Sequence, residues 1–352
     1  MAIRKTFVWQ TSAGEATDFE LEYLSRILFA DVDHEKVFDA GALSHPARDL
    51  VVFGHNSLKI PSAIEDYLRQ HRPEAILHLS GERLPPVGQL YDDARVVLRS
   101  YYDPRIARDN LFALPLGFKT GLLNEGASLP VAERSTIWFF AGQVKSHRAD
   151  MLSCLSHIAP HKTHLTSGWS SADGLGIADM RRYLADTIFI PCPFGNINPD
   201  SFRMMEGLEF GAIPVCVRFM GTDYYRYMFG DHPFIVGADW RDAALMMKDL
   251  LRDPQRLAAR QRDVVAWYAR FKARLAQDVA ALLDGRAQDV SSEQFRYQRE
   301  GRSDPLLKRV FELHFGKSLS GRIYRKAPFL FSGTVRRMER RAVSSSFQAH
   351  SL

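Results

Sequence analysis

Short apolar runs, many β-branched, recur along the chain and alternate with stretches in which apolar residues return every three or four positions. Period two or continuous apolarity predicts buried strands, and the 3.6 period predicts helices. In the first half this gives strands at 6–9, 50–53, 75–79, 94–98 and 111–114, with helices at about 17–29 and 60–69. In the second half strands fall at 137–141, 162–165, 187–191, 213–217 and 233–236, with a helix from about 146 and helical sequence from 240 to about 283. Strands alternating with helices of this length imply βαβ units with right-handed crossovers, hence an α/β protein with parallel sheets. A turn-rich stretch around 121–131 (GLLNEGASLPV) divides two such units. The boundaries expected are 1–125, a linker at 126–134, a second unit at 135–285, and a C-terminal extension at 286–352.

The segment TIFIPCPFGNINPDSFRMMEGLEFGAIPVCVRF (187–219) carries the strongest local signal. It reads as strand, loop, helix and strand, the helix opening at Asn198-Pro199 and stopping at Gly211, since Asn suits the N-cap, Pro the first helical position and Gly the residue past the end. Parallel sheets bind ligands beyond the carboxyl ends of their strands, where this loop lies. Gly195, Asn196, Asn198, Ser201, Arg203 and Glu206 form a polar set there. Arg203 and Glu206, three apart, share a helix face. A helix N-terminus with an arginine suits a diphosphate, and a carboxylate can accept from ribose hydroxyls. The same two residues serve equally as an ion pair on a solvated helix.

Three blocks resemble the exostosin-like glycosyltransferases. The run PFGNINPDSFRMMEGLEFGAIPV is similar to their Ser-x-Arg-x-x-Glu-x-x-x-x-Gly-x-(Ile/Val)-Pro-Val motif through Ser201, Arg203, Glu206, Gly211, Ile213, Pro214 and Val215. VVLRSYYDPRIARDNLFALPLGFKTGL resembles their Arg-x-Tyr-Tyr and Pro-Leu-Gly-(Tyr/Phe) elements through Arg99, Tyr101, Tyr102, Pro115, Leu116, Gly117 and Phe118. IWFFAGQVKSHR resembles their Phe-Ala-Gly-x(n)-Arg element through Phe140, Ala141, Gly142 and Arg148. The blocks stand in family order over about 95–220. The resemblance implies a GT-B fold, two Rossmann-like domains facing across a cleft, with a nucleotide-sugar donor on the C-terminal side and the acceptor on the N-terminal side. It also implies an inverting transfer, and a leaving group neutralised by basic side chains and helix N-termini without metal or other cofactor.

Glycosyl transfer needs positive charge for the departing diphosphate and a base for the acceptor hydroxyl. Arg203 and Arg148 are the candidates for the first role, with Gly142, Asn198, Ser201 and Glu206 completing the donor site. For the base, Glu82 after the Ser80-Gly81 turn comes first and His55 second, the latter because its ordinary pKa lies nearer neutrality. Asp31 and His78 are weaker candidates. Each has a plainer reading: His55 as a turn ligand, Glu82 as a partner of Arg83 or Arg99. The Asp31-x-Asp33 pair imitates a metal-binding motif but lacks a suitable loop pattern after it.

The chain has 352 residues and 46% hydrophobic content, enough for two cores. Three cysteines, Cys154, Cys192 and Cys216, imply no disulfide framework and offer no zinc spacing. No apolar run reaches 18 residues, and MAIRKTFVWQT leads directly into a strand. The expected setting is therefore cytoplasmic, unlike the membrane-anchored animal members of the family, and their polymerase activity is not carried over. Neither G-x-G-x-x-G nor G-x-x-x-x-G-K-[ST] occurs, which disfavours dehydrogenase and P-loop readings. Charge is uneven: 317–341 holds eight basic residues against Glu339, net +7, while the whole chain is +5. With Tyr324, Phe329, Leu330 and Phe331 interleaved, this tail suits the inner face of an anionic membrane, non-specific nucleic-acid contact, or plain solvation. No signature of specific nucleic-acid recognition is present. The expected function is transfer of a sugar from a nucleotide-sugar donor to a glycan or lipid-linked acceptor. The alternative is a non-catalytic carbohydrate- or polyanion-binding protein that retains the fold.

Overall fold

A computed structural model describes residues 4–11, 19–40, 43–46, 48–55, 60–82, 88–106, 108–145, 147–168, 172–195 and 198–315. It contains two parallel sheets. The first comprises β1 (Lys5–Thr11), β2 (His34–Ala40), β3 (Leu50–His55), β4 (Ala75–Ser80), β5 (Val96–Ser100) and β6 (Leu111–Leu114), in the order β2-β1-β3-β4-β5-β6. The second comprises β7 (Thr136–Gly142), β8 (His161–Leu165), β9 (Thr187–Pro191), β10 (Ile213–Val217) and β11 (Ile235–Gly237), in the order β11-β10-β9-β7-β8. The strands are covered by α1 (Ser62–His71), α2 (His147–Leu155), α3 (Ile177–Ala185), α4 (Phe202–Glu209), α5 (Tyr225–Phe229), α6 (Trp240–Leu251), α7 (Pro254–Leu283), α8 (Glu293–Ser303) and α9 (Pro305–Phe315). This is an α/β architecture of two Rossmann-like sheets, the GT-B arrangement.

Strand parity divides the first sheet into two faces. Phe7, Trp9, Leu50, Val52, Leu77 and Leu98 join a core that continues into the second sheet. Val8, Val51, Phe53, Ile76 and Val97 pack beneath α1, with Ile64 and Leu68. The predicted strands at 187–191, 213–217 and 111–114 form with those bounds, and the others shift by one or two residues at one or both ends.

Three expectations are corrected. The helix after the 187–191 strand begins at Phe202, not at Asn198-Pro199. Asn198 instead closes a tight turn, its Oδ1 accepting the Asp200 N–H (3.1 Å), and Ser201 takes the N-cap. The helix ends as expected, Gly211 adopting φ +69°. The stretch expected as one helix over 17–29 is in its described part a short turn of α-helix (Leu21–Tyr23) running into a π-turn (Leu24–Leu28). Finally, β2 was not anticipated. Its sequence HEKVFDA is that of a polar edge strand, with Phe38 half exposed.

The chain returns to the first sheet at its end. The Ala113 N–H donates to Gln298 Oε1 of α8 (2.9 Å), and Gln298 Nε2 donates to Ala113 O (2.8 Å) and Tyr227 O (2.6 Å). Arg302 donates to the carbonyls of Arg108 and Leu111. The outer edge of β6 is thus met by side-chain groups where a further strand would otherwise pair. No helix among the described residues is long and apolar enough to cross a membrane. The basic segment 317–341 lies outside the described residues.

Candidate functional site

In the second sheet the chain leaves β7 outward to β8 and then returns to β9 on the other side. The crevice at such a reversal, beyond the strand ends, is where open parallel sheets hold ligands. Gly142 ends β7 with φ +144°, a conformation that disfavours a side chain, and a Cβ there would come within 2.6 Å of Arg203 Nη2. Arg203, in the first turn of α4, reaches across to donate through Nε (3.1 Å) and Nη2 (2.8 Å) to Ala141 O. Its guanidinium lies over the Phe140 ring at 4.7 Å. Arg148, in the first turn of α2, donates through Nε and Nη2 to Phe194 O (3.3 and 3.2 Å) and through Nη1 to Gln143 O (3.2 Å).

Both guanidinium pKa values are lowered, chiefly by burial; that of Arg148 falls to about 10, and the neighbouring Arg203 adds to the effect. Two like charges near enough to act on each other, partly out of water and one of them against a glycine, form a site that an anion would relieve. Among the described residues no group of three His, Cys, Asp or Glu side chains converges to hold a metal ion. Asp33 of the Asp31-x-Asp33 pair is exposed and pairs with Arg4 at 3.6 Å.

The acceptor-side candidates divide. Glu82 follows β4 and spans the cleft: the Asn198 N–H donates to its Oε2 (3.3 Å), and a Cβ on Gly195 would meet its carboxylate at 2.6 Å. It is half-buried and lies near enough to Arg148 to act on its charge. Glu82, Gly195 and Asn198 therefore meet, with Arg148 near them. His55 is the last residue of β3, opposite Ser80 in the register, but its side chain lies outside the described set. His78 is fully buried, with its Nδ1 against Tyr91 Oη, and Phe118 is core.

Glu206 takes a partner other than its helix neighbour. It forms no ion pair with Arg203 within 4.0 Å; its carboxyl accepts the Lys119 backbone N–H. Burial raises its pKa, while Arg203 and Lys119 act the other way. This contact belongs to a series unforeseen from the sequence. The Leu116 N–H donates to Asp200 Oδ2 (3.0 Å), the Gly117 N–H to Glu20 Oε1 (2.6 Å), the Gly121 and Leu123 N–H groups to Glu22 Oε2 (2.9 and 3.1 Å), and the Asn124 N–H to Glu209 Oε2 (3.2 Å). Five carboxyl groups from both sides thus satisfy the backbone that links the two sheets.

Two of these five are chemically poised. Glu20 and Asp200 are almost completely buried, and Glu20 Oε2 and Asp200 Oδ1 make no hydrogen bond among the described residues. Burial raises Glu20 to about 8, with Asp200 adding to it, and raises Asp200 to about 7, with Glu82 adding to it. Asn198 Nδ2 and Ser201 Oγ are also buried without partners, so residues 198–201 hold three buried polar atoms with no hydrogen-bond partner among the described residues. Asp200 lies inside the segment singled out from sequence, but nothing in its spacing distinguishes it. Glu20 carries no sequence signal, because its partner lies 97 residues away.

No protein-family model matches the chain, and no curated protein matches it. Solved structures do share its fold. An α-glucosyltransferase in complex with UDP and a 13-mer DNA has a TM-score of 0.50 at 10% identity, covering 79% of this chain and 100% of that one. The Anabaena HepE in complex with UDP-glucose gives 0.48 at 13% identity, covering 80% and 100%. An α1,3-fucosyltransferase with GDP gives 0.45 at 11% identity, covering 77% and 90%. At 10% identity the likeness to the α-glucosyltransferase concerns the fold alone.

Proposed function

We propose that the protein is a glycosyltransferase that moves a sugar from a nucleotide-sugar donor to a glycan or lipid-linked acceptor, with inversion and without a metal. The observation that carries this reading is the pair Arg203, against the side-chain-free Gly142, and Arg148, bound to the next carbonyl at Gln143, at the chain reversal of the second sheet. Its fold and the motif resemblance to exostosin-like enzymes support it. In this reading the donor diphosphate approaches Gly142 and the α4 N-terminus, where Ser201 makes no side-chain cap. The two guanidinium groups stabilise the charge that builds on the leaving group. The sugar then faces Asn198, Asp200 and Ser201, whose unpartnered atoms suit hydroxyl groups.

Glu82 is the base in this scheme. It comes from the first unit and lies near Arg148, so an acceptor hydroxyl there bonds to the anomeric carbon and loses its proton to Glu82, while the bond from that carbon to the diphosphate breaks and the diphosphate leaves with the electron pair. His55, one strand further over, is the second candidate. Sequence alone supports two further parts of the reading: a cytoplasmic protein, and contact between the basic segment 317–341 and an anionic inner-membrane surface.

The test is a thermal-shift and calorimetric screen of the full chain against UDP, GDP, CMP and dTDP and their common sugars. A selective rise in Tm with one nucleotide is expected, since a ligand bound only by the folded state stabilises it. Arg203→Lys keeps the charge but loses the forked geometry, and should weaken that nucleotide about tenfold. No shift with any of them would leave the non-catalytic binding protein as the better reading.

A further inference from the structure

The first sheet buries a charge that the donor site does not use. Arg99, in β5, is 0% exposed. Its Nε donates to Ser100 O (3.2 Å) and its Nη2 to Ser80 Oγ (3.0 Å), which itself donates to Ser100 O (3.0 Å). Nη1 has no acceptor, and the guanidinium makes no ion pair within 4.0 Å among the described residues. Arginine is seldom enclosed without a counter-charge, because leaving a guanidinium unpaired away from water costs several kcal/mol. Were Arg99 only a space-filling post on this face, an apolar side chain of similar length would serve without that cost.

Its position gives the charge a use. Arg99 and Ser80 lie at the carboxyl ends of β5 and β4, the side on which parallel sheets receive ligands. Ser80, which Arg99 holds, is two residues before Glu82, the carboxylate that reaches Asn198 and Gly195. We propose that Arg99 is the anion-recognising residue of the acceptor pocket, so that the acceptor carries an oxyanion, a carboxylate or a phosphate monoester. Arg99 Nη1 meets this group, while the fixed contacts to Ser80 and Ser100 hold the guanidinium in place. The assignment of an acceptor rests on the glycosyltransferase reading; the oxyanion site itself does not.

The experiment compares the wild type, Arg99→Met, Arg99→Lys and Arg203→Lys, all as the full chain, by calorimetry and thermal shift. The probes are glucuronate, glucose 6-phosphate, neutral glucose, UDP and GDP. Glucuronate or glucose 6-phosphate should bind the wild type and glucose should not, and whichever of the two binds names the oxyanion. Arg99→Met should lose about tenfold or more of that affinity while keeping any nucleotide response. Arg203→Lys should show the reverse. If the Met variant does not fold, Arg99→Lys decides, since a single point charge should bind the anion more weakly than the forked guanidinium. Equal anion affinity in the wild type and the Arg99 variants, or no anion binding by the wild type, overturns the proposal. Anion binding with no nucleotide response would keep the Arg99 site and remove the glycosyltransferase reading.

Discussion

At the scale of single residues, the cleft depends on close approaches that a methyl group would disturb. Gly195 touches the Glu82 carboxylate so closely that an alanine there would stand 2.6 Å from either oxygen. The colliding atoms are the far end of a flexible side chain, so the collision is relieved by moving Glu82, at the cost of its contact with the Asn198 N–H, rather than the backbone. Gly195→Ala should therefore leave stability within about 1 kcal/mol of wild type, as is usual where no packed group is displaced. It should lower glycosyl transfer in parallel with Glu82→Gln, because both remove a carboxylate from its place. A urea melt and a turnover assay on the two variants check this; a fully active Gly195→Ala with a displaced Glu82 would take the base role away from Glu82.

At the scale of elements, the link 115–124 shows how far the sequence could be read. Its Pro-Leu-Gly run was visible as a motif, and its neighbouring strands followed from apolar runs. What the link does was not visible, because its amides are satisfied by carboxyls 84 to 101 residues away in sequence. The α4 start was misplaced for a related reason: Asn198 has the chemistry of a cap and spends it on a turn. Likewise β2 escaped notice because an exposed edge strand lacks the apolar run that marks a central one. The link also carries a pH dependence. Glu20 and Asp200 are raised from ordinary values of 4.5 and 3.8 to about 8 and about 7, with Tyr23, Tyr101, Tyr224 and Glu82 as their titratable neighbours. Between those limits the folded chain holds protons that the unfolded chain has lost. Their contribution is therefore full below about pH 4 and is lost as pH rises towards 8, at up to about 1.4 kcal/mol per pH unit for each group. Glu20→Gln with Asp200→Asn should flatten this slope relative to wild type in urea melts at pH 5 and pH 8; an unchanged difference between the two pH values would show that the pair ionises normally.

At the scale of the molecule, the two sheets are joined more than once. The link 115–124 is one connection and the return of α8 to β6 is another, so the cleft is framed on more than one side by chain crossing from sheet to sheet. Arg95 strengthens the return by donating to Leu282 O (2.8 Å) and Leu283 O (2.9 Å) at the end of α7. Gln298 is the centre of that closure, because one side-chain amide satisfies both the N–H and the C=O of the fully buried Ala113 as well as Tyr227 O. Removing it leaves buried polar groups unpaired on both sides, a loss of about 1–3 kcal/mol for each group that finds no water. Gln298→Ala should therefore lower stability by at least about 2 kcal/mol, far more than an ordinary surface truncation. Gln298→Glu should fare little better, since a carboxylate accepts from the Ala113 N–H but cannot donate to its carbonyl. Because the loss falls on the return rather than on either sheet, proteolysis of these variants should begin near 286–305 before the sheets themselves are cut. Cleavage starting within the link 115–124 instead would place the weaker connection there.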